Sequence, residues 1–208
     1  MKVMLDLFSG LGGASEAFFR TGHWDVMRIE NNPLLKDIPA TYIEDVMHFP
    51  PNDWLDRMDV DIVWASPPCR EFSDAYGAPG PSSRRDGLDF EPDMTLLLRT
   101  MEIIRYLKPE YWIIENVRGA QPYFLPFLGK VRQIIGPFYL WGNFPYLQMP
   151  KAFKHLKSEN DVHSANPFRS NIKAKIPIEI SEACRQAVES HIPLTQWMEF
   201  HEELVWYR

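Results

Sequence analysis

Apolar residues along the chain gather into short runs, and most runs end on a glycine or a polar side chain. Residues 2–8, KVMLDLF, predict a short buried strand, followed by a tight turn at SGLGG. ASEAFFRTG predicts a helix closed by Gly22, which stands where a left-handed cap belongs. WDVMRIE predicts a second strand and VDIVWAS a third. DMTLLLRTMEIIRYLK predicts a long helix stopped before Pro109, EYWIIENV another strand, and FYLWGNF one more. Near the end, Ile180, Ala183, Cys184, Ala187, Val188 and His191 share one helical face, which makes Cys184 a packing residue. Strands alternating with helices predict an α/β fold, a mostly parallel sheet with helices on both faces. In such a sheet ligands bind beyond the carboxyl ends of the strands. Each residue singled out below for chemistry ends or follows one of these apolar runs.

Composition narrows the class. The 208 residues, 45% hydrophobic with seven Trp, suit a single globular domain over 1–208. Two cysteines, Cys69 and Cys184, build no disulfide framework, which favours a reducing, cytoplasmic setting. No apolar stretch approaches the roughly 18 residues of a membrane span, and the start of the chain lacks a signal-type apolar core. The six histidines show no ligand spacing, so no metal site is expected. A net charge of −6 argues against coating nucleic acid by bulk electrostatics. The charge is uneven, however. Lys151, Lys154, Lys157, Arg169, Lys173 and Lys175 face only Glu159 and Asp161 in the same stretch, and Arg84-Arg85 lie in a Gly/Pro/Ser-rich segment.

Gly10, Gly12 and Gly13 separate the first strand from the first helix, where glycines let backbone amides approach a ligand. Glu30 ends the second strand, and a carboxylate there can accept both hydroxyls of a ribose. A nucleoside-containing cofactor follows; NAD and S-adenosylmethionine both satisfy this pattern.

DLFSGLGG (6–13), IENN (29–32), SPPCREFS (66–73) and ENV (115–117) resemble, in order and spacing, the motifs of the cytosine-C5 DNA methyltransferases. RRDGLDFE (84–91) resembles the family segment after the catalytic loop, and AKIPIEISEACRQAV its last, helical motif. The resemblance implies a Rossmann-like class I methyltransferase fold, S-adenosylmethionine as cofactor and DNA as partner. It implies Cys69 as the nucleophile that adds to cytosine C6, since a thiolate there makes C5 nucleophilic. Glu115 would contact N3 and the exocyclic amine in its protonated form, which burial favours. Asn116 would fix the turn around it. Around the cofactor, Phe8 would stack near the adenine, Gly10 and Gly12 would line the methionine end and Glu30 would hold the ribose. Asp45 would read the adenine amine, with Pro67 and Leu88 as walls. The target base must be flipped or already unpaired. SDAYGAPGPSSRRDG has the composition of a mobile loop over it, with Ser73, Arg84 and Arg85 facing phosphates.

Two departures from the family pattern bear on function. No Gln-x-Arg-x-Arg string occurs, and Arg118 or Arg132 would have to substitute for its arginines. In place of a target-recognition domain stands a short basic insert, approximately 145–175, with Lys151 and Lys154 as phosphate contacts. So short an insert has little room to read several base pairs, implying low or short specificity, or a protein partner that supplies it. The alternatives are methylation of RNA or single-stranded DNA, a non-catalytic regulatory relative, and a nicotinamide-dependent oxidoreductase. The last leaves Pro-Cys and Glu-Asn-Val unexplained.

Overall fold

The structure is a computed structural model and describes residues 1–49, 59–155 and 165–190. Its centre is a seven-stranded sheet of β1 (Lys2–Leu7), β2 (Trp24–Glu30), β3 (Thr41–Ile43), β4 (Ile62–Ala65), β5 (Tyr111–Asn116), β6 (Gln133–Ile135) and β7 (Phe138–Asn143). The spatial order is β3-β2-β1-β4-β5-β7-β6. The first five strands run parallel, and β7 is antiparallel to both its neighbours.

Apolar residues occupy both faces of the central strands, so both faces must be covered. All four residues of β4 are buried. Met4 pairs with Ile62 and Leu5 with Val63, and the pleat sends these pairs into opposite cores. One core takes Phe18 from α1 (Glu16–Thr21) and Ile180, Ala183, Cys184 and Val188 from α6 (Ile178–Ser190). The other takes Leu97, Met101 and Ile104 from α3 (Thr95–Leu107) and Phe124 from α4 (Gln121–Leu128). Cys184 is fully buried, the packing residue its periodicity predicts. His191 lies outside the described residues.

The strands, α3 and α6 follow the apolar pattern closely, and Gly22 (φ 66°) closes α1 with its N–H on the Phe19 carbonyl. Five helices and strands among the described residues are additions. β3 and β6 have three residues each, too few for an alternating pattern to register. α4 begins at Gln121-Pro122 and contains Pro126, a composition that reads as a breaker. α2 (Pro79–Arg85) lies inside the stretch expected to be a mobile loop. Prolines stand in its first turn, where the missing N–H costs nothing. α5 (Arg169–Ala174) occupies the later part of the basic insert, and Lys157, Glu159 and Asp161 lie outside the described residues. Among the described residues no helix is long and apolar enough to cross a membrane.

β1 pairs with β2 on one side and β4 on the other, so the chain reverses direction across the sheet at β1. The crevice beyond the carboxyl ends of β1 and β4 is the switch-point position where open α/β sheets hold ligands. A groove of about 420 Å³ at the start of β5, lined by Met101, Ile104, Trp112 and Phe127, sits at the opposite edge.

Candidate active site

On leaving β1 the backbone turns through three left-handed residues, Phe8 (φ 59°), Gly10 (φ 53°) and Gly12 (φ 70°). Glycine adopts this region freely, whereas Phe8 is strained there, a conformation that surroundings must enforce. The enforcing contacts come from β2. The Gly10 N–H donates to one Glu30 oxygen at 2.8 Å and the Asn32 N–H to the other at 2.9 Å. Glu30 is thereby fixed with lone pairs still free on both oxygens. The Ser9 hydroxyl is buried in the same turn and has no hydrogen-bond partner. A buried polar atom without a partner in a ligand crevice points to a group that a ligand satisfies.

Beneath the turn lies a polar network. Ser15 Oγ donates to Asp6 at 2.6 Å and accepts from Arg28 Nε at 2.8 Å. Burial pushes the Asp6 carboxyl up to about 6, with the Ser15 hydrogen bond and the Arg28 charge acting in the opposite direction. From the far side α6 reaches in. Ser181 Oγ donates to the Ala14 carbonyl at 2.6 Å and accepts from the Ala17 N–H at 3.0 Å. A Cβ on Gly13 would collide with the Ile176 carbonyl.

The second half of the site comes from β4 and β5. Ser66, Pro67, Pro68 and Cys69 follow β4, and Cys69 caps a one-turn 3-10 helix, Arg70–Phe72, whose Phe72 N–H donates to its carbonyl at 3.0 Å. Asn116, buried at the end of β5, donates from Nδ2 to the Pro67 carbonyl at 3.0 Å and accepts from the Val117 N–H. The Pro-Pro-Cys turn is thus tied to the neighbouring strand. Gly119 packs against the Phe72 carbonyl, leaving no room for a side chain.

Cys69 is partly buried, and Glu115 one residue before Asn116 acts on it. Burial raises the thiol, and the Glu115 charge raises it further. Burial also pushes the Glu115 carboxyl up to about 7, opposed by a hydrogen bond from the Ser66 hydroxyl. That hydroxyl accepts from Trp64 Nε1 at 3.0 Å. The two groups oppose each other as anions, so a proton on Glu115 makes the Cys69 thiolate easier to form.

The remaining sequence-predicted residues fall at varied places. Pro67 is buried in the cysteine turn. Gly12 is buried, and the space for a side chain is filled by Arg28, 2.5 Å from a Cβ position. Asp45 accepts from the Met47 N–H in a local turn. Leu88 is 63% exposed after α2. Arg118 is exposed and pairs with Asp74 at 3.2 Å, clasping the segment after the cysteine. Arg132 donates to the Phe144 carbonyl at 2.7 Å. Ser73 Oγ accepts from the Ala75 N–H. Arg84 is exposed, and Arg85 lies 3.8 Å over the Tyr76 ring. Lys151 and Lys154 are exposed along the segment after β7. Sequence reasoning missed Arg28, Ser66, Asp74 and Ser181. Of these only Arg28 left a signal, a positive charge between Met27 and Ile29 in the apolar part of β2.

The described residues thus form a switch-point α/β sheet with a fixed carboxylate at the end of β2 and a cysteine–carboxyl pair at the ends of β4 and β5. The chain belongs to the C-5 cytosine-specific DNA methylase family, whose model matches residues 2–122. That family uses S-adenosylmethionine. The chain is 36% identical over 118 residues to the "Probable DNA (cytosine-5)-methyltransferase" of frog virus 3 (isolate Goorha), covering 54% of this chain and 52% of that protein. It is 30% identical over 128 residues to the type II methyltransferase M.DdeI of Desulfomicrobium norvegicum, covering 56% of this chain and 28% of that protein. The type II methyltransferase M.HgiGI of Herpetosiphon aurantiacus is 29% identical over 142 residues, 62% of this chain and 96% of that protein. The chain therefore spans about half the length of the viral relative and less of M.DdeI.

Proposed function

We propose that this chain transfers a methyl group to C5 of cytosine in DNA, with Cys69 as nucleophile and S-adenosylmethionine as donor. The observation that carries the reading is the Cys69–Glu115 pair at adjacent strand ends, held by the Asn116–Pro67 hydrogen bond. Family membership supports the same chemistry.

The turn fits the cofactor on its own features: a fixed Glu30 carboxylate, a partnerless Ser9 hydroxyl and a left-handed Gly10 whose Cβ position would meet the Asn171 side chain only at an ordinary contact distance of 3.7 Å. Glu30 would hold the ribose hydroxyls, Phe8 would lie by the adenine, and the Ser9–Gly10 backbone would face the methionine portion. S-adenosylmethionine, when bound, supplies an electrophilic methyl group. Cytosine C5 is too weak a nucleophile to take it unaided. The Cys69 thiolate adds to C6, and the electron pair of the C5–C6 double bond moves toward N3 through the ring. Protonated Glu115 would donate to N3 and stabilise that charge, and C5 would then take the methyl group as the sulfonium S–CH3 bond breaks, with neutral S-adenosylhomocysteine as the leaving group. Loss of the C5 proton to a base then expels Cys69 as thiolate and restores the double bond.

The target base reaches such a pocket only outside the stack. Ser73, Arg84, Arg85, Lys151 and Lys154 have side chains suited to phosphate contact and would face the strand that carries it. The 145–175 segment is the candidate recognition insert, and a segment so short supports low or short sequence specificity, or targeting by a protein partner. Labelled methyl transfer from S-adenosylmethionine to duplex DNA, single-stranded DNA and tRNA, followed by nucleoside analysis, tests the assignment. 5-Methylcytosine in DNA is the expected product; label in tRNA alone, or in none of the three, would overturn it. Bisulfite sequencing of the methylated duplex should reveal no recognition site of five or more fixed base pairs.

A further inference from the structure

We propose that Arg28 is a positioning residue that shapes the cofactor-binding turn and so sets the affinity for S-adenosylmethionine, an inference that rests on the cofactor reading above. Arg28 sits inside β2 with only 1% of its surface exposed. A buried guanidinium is costly unless its donors are satisfied, and an apolar side chain would fill the same space at lower cost. Its partners show what the charge accomplishes. Nε donates to Ser15 Oγ at 2.8 Å, and one terminal nitrogen donates to the Pro39 carbonyl at 2.9 Å. The other donates to the Gly12 carbonyl at 3.2 Å and to Glu16 at 3.0 Å. Three of the four partners belong to the turn or the start of α1, and the fourth to the segment that leads into β3.

Arg28 and Glu30 are two residues apart on one strand, so their side chains leave the same face of the sheet. Glu30 accepts from the Gly10 N–H while Arg28 donates to the Gly12 carbonyl. Strand β2 therefore grips the turn at two points, two residues apart, with opposite charges. Between and beside those points lie the left-handed residues Phe8, Gly10 and Gly12. The absence of a side chain at Gly12 is what admits the guanidinium. Without Arg28 the turn keeps its glycines but loses the grip on Gly12. The Ser9 and Gly10 groups would then have to be ordered by the cofactor itself, at a cost in affinity.

Calorimetric titration of S-adenosylmethionine into the full chain tests this, with Arg28→Met, Arg28→Lys and Gly12→Ala. Lys keeps the charge but cannot reach the four partners. Gly12→Ala displaces the guanidinium while leaving the arginine in place. The expected result is a loss of affinity of about tenfold or more in each folded variant, the scale of one lost charged hydrogen bond. In the Arg28 variants the KM for S-adenosylmethionine should rise in step, while their kcat at saturation and their KM for DNA stay near wild type. A purely structural role would lower the melting temperature and leave that split absent. Any folded Arg28 variant with wild-type affinity overturns the inference. If Arg28→Met does not fold, Arg28→Lys and Gly12→Ala decide it by the same criterion. A wild-type chain that does not bind the cofactor would instead sink the cofactor reading, and this inference with it.

Discussion

At Cys69 and Glu115, burial and charge shift the titration of two ordinary side chains. Each is raised by desolvation, and the carboxylate adds to the burden on the thiol. Replacing Glu115 with Gln removes that charge and keeps the shape. The Cys69 thiol should then titrate at lower pH, so that the pH midpoint for iodoacetamide alkylation of Cys69, followed by peptide mass spectrometry, moves down. An unchanged midpoint would mean that the two groups do not share a site. Cys184, buried and raised further by its burial, supplies an unreactive internal control in the folded chain. Cys69, Glu115 and Glu30 were legible in the sequence because each sits at the end of an apolar run, where α/β sheets hold their chemistry. Ser66, Asp74 and Ser181 were not, because their roles depend on partners brought close only by folding: Ser181 meets Ala14 from 167 positions away.

At the scale of elements, the site depends on α6 being docked against the glycine turn. Ser181 makes two hydrogen bonds to the segment that opens α1, and the Ile176 backbone occupies the space beside Gly13. Ser181→Ala leaves the Ala17 N–H and the Ala14 carbonyl without their side-chain partner in a buried setting, which costs about 1–3 kcal/mol. Chemical denaturation should show that loss as a lower midpoint with an unchanged slope, whereas a midpoint within error of wild type would mean that α6 is not anchored there. The sequence made α6 visible through its apolar period and the central strands through their apolar runs. It hid α2 and α4, whose prolines read as breakers although both begin where proline is tolerated, and it hid β3 and β6, which are too short to carry a pattern. Parallel order was foreseen for the sheet as a whole; the antiparallel insertion of β7 between β5 and β6 left no mark in local sequence.

For the whole molecule, the two buried carboxyls Glu115 and Asp6 have a thermodynamic consequence. Glu115 is raised from 4.5 to about 7 and Asp6 from 3.8 to about 6, so the folded state holds their protons more tightly than the unfolded state. Their contribution to stability is complete below the unfolded values and is lost as pH rises through the folded ones. Stability should therefore fall between about pH 4 and pH 7 on their account. Glu115→Gln removes one of these slopes. Relative to wild type, the variant should gain stability from pH 5 to pH 8, by about 2 kcal/mol, read from denaturation at both values. Parallel curves would show that Glu115 is not desolvated in solution. The most direct measurement is covalent trapping: the chain is incubated with S-adenosylmethionine and duplex DNA containing 5-fluorocytosine, and the adduct is mapped by mass spectrometry. The account predicts a denaturation-resistant protein–DNA complex joined through Cys69 and absent from Cys69→Ala. A complex joined elsewhere, or an equal yield from Cys69→Ala, would contradict it.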